Sequence, residues 1–220
     1  MIDLIYCSDG NARFAQIAID HGFLYGAQLP PRGIHFWPWF ADQNWKSPCR
    51  KTYMSELDKH RPFMASVLDW ERLDQFDEVL GWAEDAAQFA QVVMIIPKVI
   101  GETHRIPRWI GGRPVRLGYS VPTKFGGTSV PIWEFYGRSV HLLGGSPDKQ
   151  MELARYLNVV SADGNYAGLK ARKWCEHWTP GGWVADGGRT ATDAIYTAFE
   201  QSCRNIMAAW QGQIIRSWPI

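Results

Sequence analysis

The chain is short of several things, and each shortage narrows what it can be. Cysteine is sparse: Cys7, Cys49, Cys175 and Cys203 are far apart and never form a CxxC pair. A zinc knuckle is therefore not expected, and reduced thiols in a cytosolic protein are. An excess of one charge is also missing. Lys and Arg number 23 against 22 Asp and Glu, a net charge of +1. No whole-molecule field draws such a protein to nucleic acid or membrane, so any polyanion site must be a local patch. No apolar run reaches the ~18 residues a membrane span needs. The opening MIDLIYCSDGN has neither a basic n-region nor a long apolar core, so no signal peptide is expected. No internal repeat or low-complexity tract stands out. What is present is 220 residues of ordinary globular composition, 46% hydrophobic, with 12 tryptophans. That is enough for one sizeable core. Trp fills cores and also stacks on flat ligands.

Short apolar runs alternate with helical patterns along the chain. LIYC, FLYGAQ, IHFWPWFAD, FMASVLD, VVMIIP, VRLGYS, VHLLGG and NVVSAD read as strands, the third weakened by Pro38. NARFAQIAIDHG, KTYMSELDKH, LDQFDEVLGWAEDAAQFA and YAGLKARKWCEHW read as helices between or after them. Strands apolar on both faces and separated by helices predict a parallel sheet covered by helices. About eight such units predict an α/β fold, a compact (β/α)8 TIM-like barrel spanning 1–178. The tail, 179–220, is expected to add a Gly-rich loop and a helix packed on the barrel. A doubly wound open sheet is the alternative.

Three of the runs end in aspartate: Asp42, Asp69 and Asp163. In a parallel barrel the strand C-termini share one face, which carries the active site. Three acids from three strands would converge there, as nucleophile, base or acceptor for a ligand N–H. The plainer reading makes each one a helix cap. Asp163 is the sharpest case, because an otherwise apolar strand delivers a carboxylate and Gly164 follows at once.

Between Thr103 and Trp133 there is no acid, but there are Arg105, Arg108, Arg113, Arg116 and Lys124, interleaved with Trp109, Tyr119 and Phe125. Cations and aromatics on a Gly- and Pro-rich segment suit a phosphate backbone and unstacked bases. Trp45, Lys46, Arg50, Lys51 and Tyr53 follow Asp42, and Lys170, Arg172 and Lys173 follow Asp163. All three sets are expected to ring the same mouth; solvated surface is the plain reading. The glycines of LLGGSP, Gly144 and Gly145, offer a phosphate cradle before the next helix.

This order of motifs resembles the tRNA-guanine transglycosylase superfamily, and within it the compact phage and bacterial proteins related to the DNA 7-deazaguanine transglycosylases. The resemblance is one of order and spacing and runs roughly from Phe36 to Trp174. It implies that Asp42 assists proton transfer and that Asp69 hydrogen-bonds a guanine-like base. It places Gly118, in RLGYS, on the glycine-containing strand against that base. LLGGSP matches the turn after the seventh strand, and Asp163 sits where the nucleophile belongs. Trp70 and Tyr119 would hold the base by stacking. The implied partners are DNA, more than tRNA, and guanine or a 7-deazaguanine. A homodimer, a cytoplasmic location and no membrane association go with this reading, and it needs no metal or redox cofactor.

The chain also departs from the family pattern. Of the structural zinc site only Cys175 and His177 remain as a remnant. Pro97 and Lys98 stand where a glutamine is expected, which bears on base selection. Two rival functions stay open on the residues alone. One is a small-molecule N-glycosidase or deoxyribosyltransferase working with two carboxylates. The other is a Trp-rich barrel that binds nucleic acid or a partner protein without catalysis.

Overall fold

A computed structural model describes residues 2–7, 10–31, 33–123, 126–186 and 192–212. Five parallel strands come first: β1 (Asp3–Cys7), β2 (Leu24–Leu29), β3 (Phe40–Gln43), β4 (Met64–Ser66) and β5 (Val92–Ile95). After the short β6 (Trp109–Ile110) come β7 (Arg113–Ser120), β8 (Val140–Leu143) and β9 (Val159–Gly164). Each of β1–β4 pairs in parallel with the next. β5 pairs with β7, β7 with β8, β8 with β9, and β9 returns to β1. The eight-stranded sheet is thus closed, and the open-sheet alternative is excluded. β6 only forms an antiparallel hairpin with the start of β7.

Helices α1 (Ala12–Asp20), α2 (Arg50–His60), α3 (Phe76–Ala86), α4 (Pro147–Leu153) and α5 (Tyr166–Trp174) surround the barrel. The helical cover is not complete, because the β2–β3, β5–β7 and β7–β8 connections carry loops, β6 or single 3-10 turns. A two-stranded hairpin, β10 (Glu176–Thr179) with β11 (Gly182–Ala185), leads to the long α6 (Thr192–Gln211). Phe199, Cys203, Ile206 and Trp210 lie on one face of α6 and are buried. Their spacing is that of an amphipathic helix laid on a core. Burying the large members of that face stabilises by roughly 1.5–3 kcal/mol each. α6 also closes the hairpin: Ser202 Oγ accepts from the Trp178 backbone N–H at 2.9 Å, and Asn205 donates to the Trp178 carbonyl at 2.7 Å.

Strand alternation decides what faces the lumen. Ile5, Phe40, Met64, Val92, Met94 and Ile96 form an apolar cluster there. Leu4, Val93, Leu117, Leu142 and Ala162, on the alternate positions, join the core beneath the helices. The lumen's apolar plug gives way to polar side chains toward the C-terminal mouth, where Asp42, Ser66 and Asp163 stand.

The third strand starts only after Pro38, since proline cannot donate to the ladder. β4 is shorter than the FMASVLD run. Its ladder stops at Ser66, and the chain then stays beside β5 through bonds from Val67 N to Met94 O and from Trp70 N to Ile96 O. Asp69 thus stands on an extension of the strand, while Asp163 is inside its strand.

Candidate active site

Asp163 occupies an inward position on β9, two residues beyond Ser161 and in register with Ile5 of β1. Its Oδ1 accepts the Gly144 backbone N–H at 2.9 Å, and its Oδ2 accepts the Cys7 thiol proton at 2.7 Å. His141 Nε2 lies 3.4 Å from Oδ1. Gln150, from α4, donates to the Asp163 carbonyl at 2.7 Å and to the Gly144 carbonyl at 2.8 Å. One amide thus ties the end of β9 to the turn after β8. Burial alone would raise the Asp163 carboxyl, but His141, Cys7 and the Gly144 N–H outweigh it and hold it below the usual carboxylate range. Burial, followed by the charge of Asp163, pushes the Cys7 thiol well up, so it stays a protonated donor.

Asp42 faces the lumen from β3. Its Oδ1 accepts from Ser66 Oγ at 2.9 Å, and Ser66 Oγ itself accepts the Gln43 N–H at 2.7 Å. Tyr53, buried under this pair, donates to the carbonyls of Ser66 and Ala41 at 2.7 and 3.1 Å. Burial, followed by the negative charge of Asp163, pushes Asp42 up to about 7. Two carboxyls of one cleft are therefore driven in opposite directions, the arrangement that separates an acid from a nucleophile.

Asp69 pairs with Lys98 at 2.6 Å, and Lys98 reaches Glu71 at 3.3 Å. Burial raises Asp69, and Lys98 offsets this only in part. Burial lowers Lys98, but its two carboxylates outweigh that and leave it raised. The ion pair is held in place by parallel pairing of Trp70 with Pro97.

Asp42, Asp69, Lys98 and Asp163 line one cleft at the C-terminal mouth, about 660 Å³ in volume. Small-molecule sites span roughly 300–1,000 Å³. Of the residues expected from the sequence, Asp42, Asp69, Lys98, Gly144, Gly145 and Asp163 all line it. Gly144 and Gly145 both have positive φ, 65° and 85°. That frees the Gly144 N–H to turn onto Asp163, so this donor serves the carboxylate and is not left open for a phosphate. A Cβ on Gly145 would stand 2.6 Å from Val121 Cγ1.

Other expectations are corrected. Gly118 does not line the cleft: it faces the lumen below, where a Cβ would lie 2.7 Å from Ile96 and 2.8 Å from Leu143. Tyr119 points to the outside of the barrel and packs edge-on against Phe135 at 4.9 Å between centroids. Trp70 is fully buried beside Phe76. Neither ring can stack on a ligand in the cleft. Trp45 is an aromatic side chain that does line the cleft, and it is 59% exposed. Tyr53 is core.

Lys46 lies by Trp45 at the mouth, but the basic residues from Arg105 to Arg116 and those on α5 do not ring it. Arg113 begins β7 and donates to the Ala87 carbonyl, and Arg108 donates to Gly137 before β8, so both lie at the opposite end of the barrel. Arg105 lies against the Phe76 ring on the outer wall and pairs with Glu102. Arg116 projects into the lumen toward Ser161. On α5, Lys170 pairs with Glu176, Arg172 lies over Phe14 and Lys173 over Trp174. Lys124 lies outside the described residues. The reason is topological: a run of like charges in sequence is split by a strand that alternates faces and by loops at both ends.

Sequence reasoning missed Cys7, Ser66, His141, Gln150 and Ser161. The i, i+2 spacing of Ser161 and Asp163 on an apolar strand was the one available signal, since both must face the same way. Among the described residues no group of His, Cys, Asp and Glu is placed to hold a metal ion. No helix among them is long and apolar enough to cross a membrane.

A family model matches residues 32–211. The chain belongs to DUF6610, a family of unknown function. No curated protein matches it. Among solved structures, a monomeric form of the dimeric phosphoribosylanthranilate isomerase from Thermotoga maritima is similar over 97% of this chain and 100% of that one, at 12% identity and a TM-score of 0.40. The closed barrel, with its acids at the C-terminal mouth, is compatible with an enzyme.

Proposed function

We propose that the chain is a glycosyl-transfer enzyme of the base-exchange type, working on a guanine-like nucleoside with Asp163 as nucleophile. The observation that carries this reading is the divergent pair: Asp163 held ionised and Asp42 raised to about 7 in one cleft. An Asp163 oxygen attacks C1′ of the nucleoside. The C1′–N bond breaks, its electron pair leaves with the base, and Asp42 supplies the proton the departing base takes up. A nitrogen of the incoming base then attacks C1′, its proton returns to Asp42, and the ester bond to Asp163 breaks. Asp69 and Lys98 present an acceptor and a donor to the base edge, and Trp45 offers a face for it.

The choice of DNA as carrier of the nucleoside comes from the sequence resemblance. A specific observation favours a second reading, transfer between free nucleosides: Lys98, which lines the cleft, is already engaged by Asp69 and Glu71. The test follows labelled guanine, or a 7-deazaguanine, into DNA and in parallel into free nucleosides. It also looks for a covalent sugar–protein adduct. Asp163→Asn should abolish exchange and the adduct while the chain stays folded. Exchange at full rate in that variant removes Asp163 from the chemistry. No exchange with either acceptor by the unaltered chain favours a binding role.

A further inference from the structure

Behind Asp163 the lumen holds a line of polar side chains that the chemistry above does not use. Arg116 Nη1 donates to Ser161 Oγ at 2.7 Å. Ser161 Oγ lies 2.6 Å from His141 Nδ1. His141 Nε2 lies 3.4 Å from Asp163 Oδ1. Ser161 and His141 are fully buried, and the Phe40 ring packs against the imidazole with centroids 5.2 Å apart. Four residues from three neighbouring strands, β7, β8 and β9, are thus aligned between the barrel's interior and its mouth.

Proton counting gives this line a direction. A guanidinium has donors only, so Ser161 Oγ must accept from Arg116. The serine's one hydrogen is then free for His141 Nδ1, which receives it as an acceptor. A neutral imidazole carries a single N–H, so the proton sits on Nε2. Nε2 is buried and makes no hydrogen bond at full contact, and the Asp163 carboxylate, with Oδ1 3.4 Å away, is the acceptor within reach. The opposite tautomer would set the Nε2 lone pair against a carboxylate lone pair and leave the serine hydrogen without its acceptor. Burial keeps the imidazole neutral, lowering it further from its ordinary value, with Arg116 acting in the same sense and Asp163 and Asp3 opposing.

We propose that Arg116, Ser161 and His141 are positioning residues, a buried relay that fixes the tautomer of His141 and so holds the Asp163 carboxylate in one orientation at the mouth. Arg116 thus acts on the site from within the barrel and not as a contact to a phosphate backbone. The use of the relay in catalysis rests on the glycosyl-transfer reading; its existence does not.

Long-range 1H–15N NMR of the folded chain reads which ring nitrogen of His141 carries the proton. The expected result is a proton on Nε2 and none on Nδ1. A 13C titration of the Asp163 carboxyl supplies the second signal. The groups that bear on it are Cys7 from β1, Asp42 from β3 and His141 from β8, with Arg116 and Asp3 behind. Ser161→Thr keeps the hydroxyl and should keep both signals. Ser161→Ala should abolish the tautomer preference and raise the Asp163 midpoint by about one pH unit. A proton on Nδ1 in the unaltered chain overturns the proposal, and so does an unmoved Asp163 midpoint in folded Ser161→Ala. If Ser161→Ala does not fold, the tautomer of the unaltered chain and its retention in Ser161→Thr decide. Neither signal needs turnover. A chain with the expected tautomer and no transfer activity therefore keeps the relay and loses the base-exchange reading. An active chain with the proton on Nδ1 does the reverse.

Discussion

The Cys7 thiol lies 2.7 Å from Asp163 Oδ2, across the seam where β9 returns to β1 and closes the barrel. The room for it comes from Gly26 on the next strand. A Cβ there would stand 2.9 Å from both Cys7 Sγ and Ile5 Cγ2, and 3.3 Å from Phe40. Gly26→Ala should therefore do two things at once. Overpacking the lumen should cost about 1–3 kcal/mol, read as a lower melting temperature. Displacing the thiol should also raise the Asp163 carboxyl, read by 13C titration. A variant as stable as the parent would mean that the lumen adjusts without strain.

Asp42 gives the chain a distinctive response to pH. Its folded value, about 7, lies above that of an unfolded aspartate, so the folded chain binds the proton more tightly. Stability from this group is fully present below the unfolded value, near 4, and is lost as pH rises toward 7. The loss is on the order of 2–4 kcal/mol across that window. Asp163 has the opposite sign: its depressed carboxyl contributes stability at higher pH that is lost under acid. Asp42→Asn should remove the neutral-side decline, so that a plot of melting temperature against pH flattens between about 4 and 7. An unchanged slope would assign the decline to other groups.

Lys98 is the counter-charge that limits the rise of Asp69, at 2.6 Å. Lys98→Gln removes that charge and leaves burial unopposed. The Asp69 carboxyl should then titrate higher than in the parent, and Lys98→Arg should bring it back down. The carboxyl resonance of Asp69 in a pH series reports this directly. No upward move in Lys98→Gln would show that solvent, and not Lys98, sets its ionisation.

How the sequence foretold this site depends on which physical signal was in play. Apolar runs carry their own address, so the eight barrel strands and the acids at their C-terminal ends were readable from β1 to β9. The convergence of Asp42, Asp69 and Asp163 followed from topology alone. The basic residues were not readable in the same way. Arg113 and Arg116 are three residues apart, yet one lies at the far end of the barrel and the other inside it. Rings on strands were equally ambiguous. Tyr119 neighbours inward Gly118 and so must face outward, an inference that needs the strand's phase as well as its existence. His141 and Ser161 meet only because β8 and β9 pair in one register, which is interrupted by an irregularity between Val140 and His141. Nothing local in either strand encodes that contact.

Trp45 stands three residues beyond Asp42, lines the cleft and keeps 59% of its surface exposed, with Lys46 5.2 Å from its ring centre. A ring this exposed contributes little to the core, so its removal should leave the melting temperature nearly unchanged. On the base-exchange reading proposed above, its cost should fall on the ligand instead. Stacking of a base on an aromatic is worth about 1–3 kcal/mol, so Trp45→Ala should weaken guanine binding roughly 10- to 100-fold, while Trp45→Phe, which keeps a flat face, should lose much less. Calorimetric titration with free guanine separates the two variants. The same variants separate stacking from base-edge recognition. Trp45→Ala should weaken every planar base alike, because each presents a π-face, whereas Lys98→Gln should change the ranking among bases by altering the donor beside Asp69. Equal affinities for guanine in Trp45→Ala and the parent would place the base elsewhere in the cleft, out of reach of this ring.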